Sequence, residues 1–174
     1  EAAKELYRKA AEQYGAENVQ VLTPYRKRGA ASVNALNPIL RELVNPAGAG
    51  KKEIRSGKSL YRTGDRVLQN RNKNEISNGD IGYIEDILTD EEGGYRIRIA
   101  FSDNRIVEYG PDDLELIEHA YATTVHKSQG SEYAAVILLW LPSFYKMLRR
   151  DIFYTAITRA KEQVWIVGNQ KAVA

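Results

Sequence analysis

Two short segments concentrate the side chains that could do chemistry. Thr123-Thr124-Val125-His126-Lys127-Ser128-Gln129-Gly130-Ser131-Glu132 gathers hydroxyls, an imidazole, an ammonium, an amide and a carboxylate just before an apolar run. Clustered small donors of this kind suit phosphate oxygens or a sugar-phosphate backbone, and loops at the strand ends of α/β sheets are where ligands bind. The second segment, Phe153 to Lys161, reads FYTAITRAK and carries Arg159 near its end. A guanidinium there can stabilise charge on a transferring phosphoryl group, because its planar fork matches phosphate oxygens. Each segment also has a plainer reading. The first can be a polar turn with Ser128 and Thr124 as caps, and the second can hold an arginine against a helix C-terminal dipole.

Several other chemistries are excluded by what is missing. With no Cys there is no disulfide framework, thiolate metal site or cysteine nucleophile. Only His119 and His126 remain for a zinc site or a triad. No G-x-x-x-x-G-K-[ST] loop occurs; Gly48-Ala49-Gly50-Lys51-Lys52 lacks both the spacing and the Mg²⁺-ligating hydroxyl. Asp90-Glu91-Glu92 and Asp112-Asp113 fall in turns and read as solvated. This chain alone is therefore not expected to build an ATP site or hold a metal. Its 174 residues are 43% hydrophobic and 28% charged, and 25 basic against 23 acidic side chains give +2. That balance is ordinary for a soluble globular protein and too mild to argue nucleic acid by itself. No run of about 18 apolar residues suits a membrane span, the N-terminus lacks a signal-peptide pattern, and a cytoplasmic location is expected.

The elements that must position the two segments follow from periodicity. Leu6, Tyr7, Ala10, Ala11 and Tyr14 mark an amphipathic helix ending at Gly15. Val19 to Leu22 is a short strand. A second helix is expected over 33–44, broken or kinked where Asn37 and Pro38 would act as N-cap and N1. Residues 45–57, NPAGAGKKEIRSG, read as a loop. Strand candidates then recur at 66–68, 80–84, 95–101 and 105–107, with turns at Asn78-Gly79, Gly93-Gly94 and Asp103-Asn104. Such short strands suggest a small barrel of the SH3 kind. Ala134 to Leu141 and Gln163 to Gly168 read as buried strands of a parallel sheet, with 143–160 helical between them. The expected architecture is α/β with an all-β unit inserted.

Taken together, these segments resemble the second motor domain of superfamily 1 DNA helicases of the RecD type, the exodeoxyribonuclease V alpha subunit family. TTVHKSQGSE resembles motif V and YTAITRAK resembles motif VI. Val21 to Arg26, VLTPYR, resembles the strand and loop of motif IV and is followed by a family-like Leu36-Asn37-Pro38, and Gly64 to Val67 with Asn78 to Gly82 resemble the inserted SH3-like subdomain. The resemblance implies a RecA-like α/β fold over 1–57 and 119–174 with the SH3-like β-barrel at 58–118. It implies an ATP-dependent helicase translocating 5′ to 3′ on single-stranded DNA, with ATP and Mg²⁺ bound together with an N-terminal motor domain. Arg159 would be the catalytic arginine, with Arg26, Gln129, Gly130 and Glu132 also facing ATP; Arg28 is an alternative to Arg26. Thr123, Thr124, His126 and Lys127 would face the DNA. The implied partners are single-stranded DNA, duplex junctions and other recombination or repair subunits, with no membrane. Arg62, Arg66, Arg71, Lys73, Arg96 and Arg98 of the insert form a basic face or solvated strand positions, and Tyr25, Tyr121 and Tyr133 stack on bases or pack. Two rivals remain at this level: a helicase domain of a conjugative relaxase or RNA-directed enzyme, and a non-enzymatic nucleic-acid-binding module built on the barrel.

Overall fold

The computed structural model describes residues 1–168. Along the chain it forms α1 (Ala2–Tyr14), β1 (Val19–Thr23), α2 (Val33–Val44), β2 (Glu53–Ser56), β3 (Ser59–Arg62) and β4 (Arg66–Gln69). There follow β5 (Ile81–Thr89), β6 (Tyr95–Phe101), β7 (Ile106–Tyr109), β8 (Ile117–His119) and β9 (Ala122–Thr124). The last elements are β10 (Tyr133–Trp140), α3 (Arg150–Ile157) and β11 (Ala160–Gly168). They divide into two compact units, one of Glu1–Val44 with the described residues from Tyr121 onward and one of Asn45–Ala120. The insert thus begins at Asn45, whereas the expected cut at 57/58 falls in the turn of a hairpin. The expected last segment, 119–174, runs past the described residues.

The first unit is built on a parallel sheet in the order β11-β10-β1-β9. Apart from Ala134, every residue of β10 is buried, because Val136, Ile137, Leu138 and Leu139 bury both faces of a central strand. On one face Val21, Ala122 and Ile137 meet Tyr7 and Ala10 of α1 and Leu36 and Leu40 of α2. On the other, Phe153 of α3 packs edge-on against Trp140, with ring centroids 5.3 Å apart. Helices on both faces of a parallel sheet make this unit a RecA-like α/β layer structure, as expected.

Three local expectations are corrected. Helix α2 is continuous through Pro38. It starts earlier than Asn37, after Ser32, whose carbonyl accepts from Leu36 N–H and whose hydroxyl lies 3.4 Å from Ala35 N. Pro38 sits only one turn in, so the single intrahelical bond it forfeits is to Asn34 near the helix start. Residues 143–160 are not one helix: a 3₁₀ segment, Pro142–Met147, precedes α3, and β11 already begins at Ala160. Finally, Glu53–Ser56 is a strand, paired with Ser59–Arg62 across Gly57, whose φ of 57° admits the tight turn.

The second unit is an antiparallel sheet in the order β7-β6-β5-β4-β8, with the β2–β3 hairpin beside it in the chain. Alternation along β6 sends Ile97, Ile99 and Phe101 into a core with Val67, Ile84, Ile87 and Tyr109. A register shift after Ile84 bends β5 as a bulge does. A small-barrel architecture of the SH3 kind fits this sheet. The unit's two ends meet at one buried carboxylate: Asp65 accepts from Asn45 Nδ2 at 2.8 Å and its other oxygen lies 3.0 Å from His119 Nε2.

Candidate nucleotide and nucleic-acid site

All four strands of the first unit run in parallel, so the sheet has two distinct ends, and the candidate residues divide between them. At the C-terminal end, β9 delivers Thr124, and the 3₁₀ turn His126–Ser128 follows directly. Lys127 N–H is 3.3 Å from Thr124 Oγ1, and Val125 N–H bonds the carbonyl of Thr23 at the end of β1. His126 is exposed and Lys127 half-buried, while Ser128 is buried with its hydroxyl donating to Val125 C=O at 2.7 Å. Thr123 departs from the expected DNA-facing set. Strand alternation turns it onto the Leu22 and Leu138 row, where it is 2% exposed and its Oγ1 has no partner.

At the N-terminal end lies Arg159. Its Nε donates to Thr155 C=O at 3.2 Å, its Nη1 to Ser131 C=O at 3.2 Å, and its Nη2 to Thr158 Oγ1 at 3.4 Å. Its own carbonyl accepts from Tyr133 N–H at 2.8 Å. All three side-chain partners are neutral, so the positive charge has no carboxylate within bonding range among the described residues. Two of its five N–H groups remain available. Glu132 is beside it but exposed and paired with Lys161 at 3.0 Å. Gln129 and Gly130 are exposed, and Gly130 turns the chain with a φ of 82° that favours glycine.

The separation follows from the register. Thr123, Leu22 and Leu138 share one row, and Tyr133 pairs with Ala160 at the start of β10 and β11. Leu138 lies five steps along β10 from Tyr133, about 17 Å at the rise of an extended strand. Residues 125–132 cross that distance as a single segment. The geometry therefore brings Ser131, Glu132 and Arg159 to one end and Thr124, His126 and Lys127 to the other, with Gln129, whose N–H bonds His126 C=O, and Gly130 on the stretch between them. Arg26 does not join Arg159: it follows the C-terminal end of β1, and its carbonyl caps α2 by accepting from Asn34 N–H. Arg28 lies on the same loop, at the rim of a largely apolar cleft of about 590 Å³ shared with Tyr25, Leu36, Leu139, Phe144 and Lys146. That cleft opens where the strand order reverses, between β1 and β10.

Of the tyrosines, Tyr121 and Tyr133 are buried and Tyr25 packs edge-on against Phe144, so all three serve packing here. The expected basic face of the insert is largely neutralised. Arg62 and Arg66 are buried, Arg62 pairing with Glu53 at 2.6 Å. Arg96 and Arg98 share Glu108, Arg71 pairs with Glu115, and Lys73 with Asp113. Among the described residues no group of three or more His, Cys, Asp or Glu side chains is placed to hold a metal. Two residues that position the site carried little sequence signal. Thr23 closes the 24–31 loop by donating to Ala31 C=O at 2.7 Å, and Asn37 bonds the backbone of β9. Both lie in stretches named above, VLTPYR and Leu36-Asn37-Pro38, but the only role expected of either is that of Asn37 as an N-cap.

A family model described as UvrD-like helicase C-terminal domain matches residues 119–167, and one described as ATP-dependent RecD-like DNA helicase SH3 domain matches residues 36–101. An ATP-dependent RecD2 DNA helicase of Deinococcus radiodurans is 38% identical over 88% of this chain. The chain is homologous to the C-terminal region of RecD-type superfamily 1 helicases. Another relative of this RecD-type chain is the RecBCD enzyme subunit RecD of Buchnera aphidicola, 29% identical over 83% of the chain. The chain spans 20% and 24% of the length of those two proteins. Among solved structures, Pif1 helicase from Candida albicans aligns with a TM-score of 0.56 at 15% identity, covering 88% of this chain and 46% of that one. Bacteroides Pif1 bound to ssDNA aligns at 0.54 with 14% identity, covering 97% and 49%. At such identities the likeness speaks for the fold. Among the described residues no helix is long and apolar enough to cross a membrane.

Proposed function

We propose that this RecD-type region is the second motor half of an ATP-dependent DNA helicase, with the phosphate loop on an upstream motor domain. The observation that carries the reading is the partition of candidate residues between two ends of one sheet, joined by residues 125–132. Arg159 would reach the γ-phosphate and stabilise charge as it develops in the transition state. Its neutral partners support this, since a guanidinium already neutralised by a carboxylate would offer less. Gln129, Gly130 and Glu132 would line the nucleotide beside it. Thr124, His126 and Lys127, joined by Arg26, would hold the phosphates of a single strand without reading its bases. Thr123 has no contact role in this reading. Among the described residues no cluster is placed to ligate Mg²⁺, and in this reading the ion would be held by the upstream motor domain.

The test is Arg159→Ala in the full-length protein, with DNA-stimulated hydrolysis, nucleotide binding and single-strand binding measured together. Turnover should fall on the order of 10³-fold or more while both ligands still bind. Folded variant protein with near-normal kcat would return Arg159 to the role of a helix-end charge.

A further inference from the structure

Asn37 lies 6% exposed in mid-helix, at a place where a polar side chain is costly unless bonded. Its amide forms a closed pair with one residue of β9. Ala122 N–H donates to Asn37 Oδ1 at 2.7 Å, and Asn37 Nδ2 donates to Ala122 C=O at 3.1 Å. Strand β9 is the terminal strand of the sheet, and Ala122 turns both its backbone groups away from β1. The Asn37 side chain takes the place of a missing neighbour strand at that one position. The same helix holds the 24–32 loop: Val33 and Asn34 N–H bond the carbonyls of Tyr25 and Arg26, both at 3.0 Å. Thr23 completes the frame, its hydroxyl on Ala31 C=O and its carbonyl accepting from Val125 N–H.

We infer that Asn37 is a positioning residue, fixing the loop that bears Arg26 and the strand that bears Thr124 and leads into the turn of His126 and Lys127 as one rigid phosphate-binding unit. This rests on the nucleic-acid reading of the C-terminal sheet end. Asn37 touches no ligand in this scheme. It sets where two backbone segments present theirs, and small misplacements of such groups weaken binding sharply.

The experiment is Asn37→Ala in the full-length protein, with ATP hydrolysis titrated against single-stranded DNA. Two comparisons run beside it: Leu40→Ala, which removes core contacts one turn along α2, and the double change His126→Ala with Lys127→Ala. Asn37→Ala should raise the DNA concentration for half-activation roughly tenfold, with DNA-free hydrolysis and kcat at saturating DNA within about twofold. Leu40→Ala should lower thermal stability by at least as much without moving half-activation. If Asn37→Ala yields no folded protein, Asn37→Gln, which keeps both amide groups on a longer stem, is judged by the same criterion. Half-activation unchanged in the folded Asn37 variant, or moved equally by Leu40→Ala, overturns the inference. The double change separates the two ideas. If it weakens DNA activation while Asn37 variants do not, only the positioning role fails; if it too has no effect, the nucleic-acid reading has failed.

Discussion

The two ends of the parallel sheet are built on opposite principles. At the N-terminal end one arginine is held by three neutral oxygens, with much of its bonding capacity spent inside the fold. At the C-terminal end the polar groups sit over a buried frame of Thr23, Asn37 and Ser128, with His126 turned to solvent. The first arrangement fixes a charge in direction, as a transition state requires. The second fixes a backbone beneath the side chains that, in the proposed reading, meet a flexible polyanion without reading its sequence. What is held in place thus differs, a side chain at the proposed catalytic end and a backbone at the proposed binding end.

The sharpest way to break that contrast is Arg159→Lys. An ammonium keeps the charge but cannot satisfy Thr155, Ser131 and Thr158 together. Turnover in the full-length protein should fall by about 10³, with DNA affinity unchanged by fluorescence anisotropy. The converse change, His126→Ala with Lys127→Ala, should weaken DNA binding across all sequences. It should also flatten the plot of log affinity against log salt by about one unit, leaving kcat at saturating DNA nearly intact. A third change addresses the connection between the ends. Gly130→Ala meets no atom within 4 Å but must adopt a φ of 82°. It should cost about 1 kcal/mol in stability by thermal denaturation and disturb both ends modestly, because residues 125–132 are shared. Lys161→Ala should do least. Its exposed pair with Glu132 is worth under about 1 kcal/mol, and hydrolysis should stay within about twofold.

Much of this was legible from residue types. The apolar run of β10, the alternation of β6 and the helical stripe of α1 each bury enough of one face to dictate their element. Strands β8 and β9 were not legible, since three residues are too short to show a period. Glu53–Ser56 was hidden by its charge, because Ile54 is its only apolar residue and pairing across the hairpin supplies what periodicity does not. The break expected at Asn37-Pro38 followed local rules, and the fold overrode them because Asn37 is used by a strand 85 residues away. The site was half legible. Residue types singled out Arg159 and the 123–132 segment as candidates and the family resemblance gave them roles, but only the parallel register shows that the segment spans both ends and that Arg26 and Arg159 lie at opposite ones.

The single carboxylate of Asp65, bonded by Asn45 at one end of the inserted unit and adjoining His119 at the other, has an entropic consequence. A flexible loop the length of Asn45–Ala120 would burden closure of the parallel sheet with the freedom of about 76 residues. With its two ends fastened together, the insert presents itself to the rest of the chain as a connection of only about five. The logarithmic dependence of closure entropy on length makes that difference worth about 2 kcal/mol. Replacing the insert with a short turn should therefore leave the parallel sheet able to form, and the β unit can vary in length and surface without unsettling the motor fold that carries it.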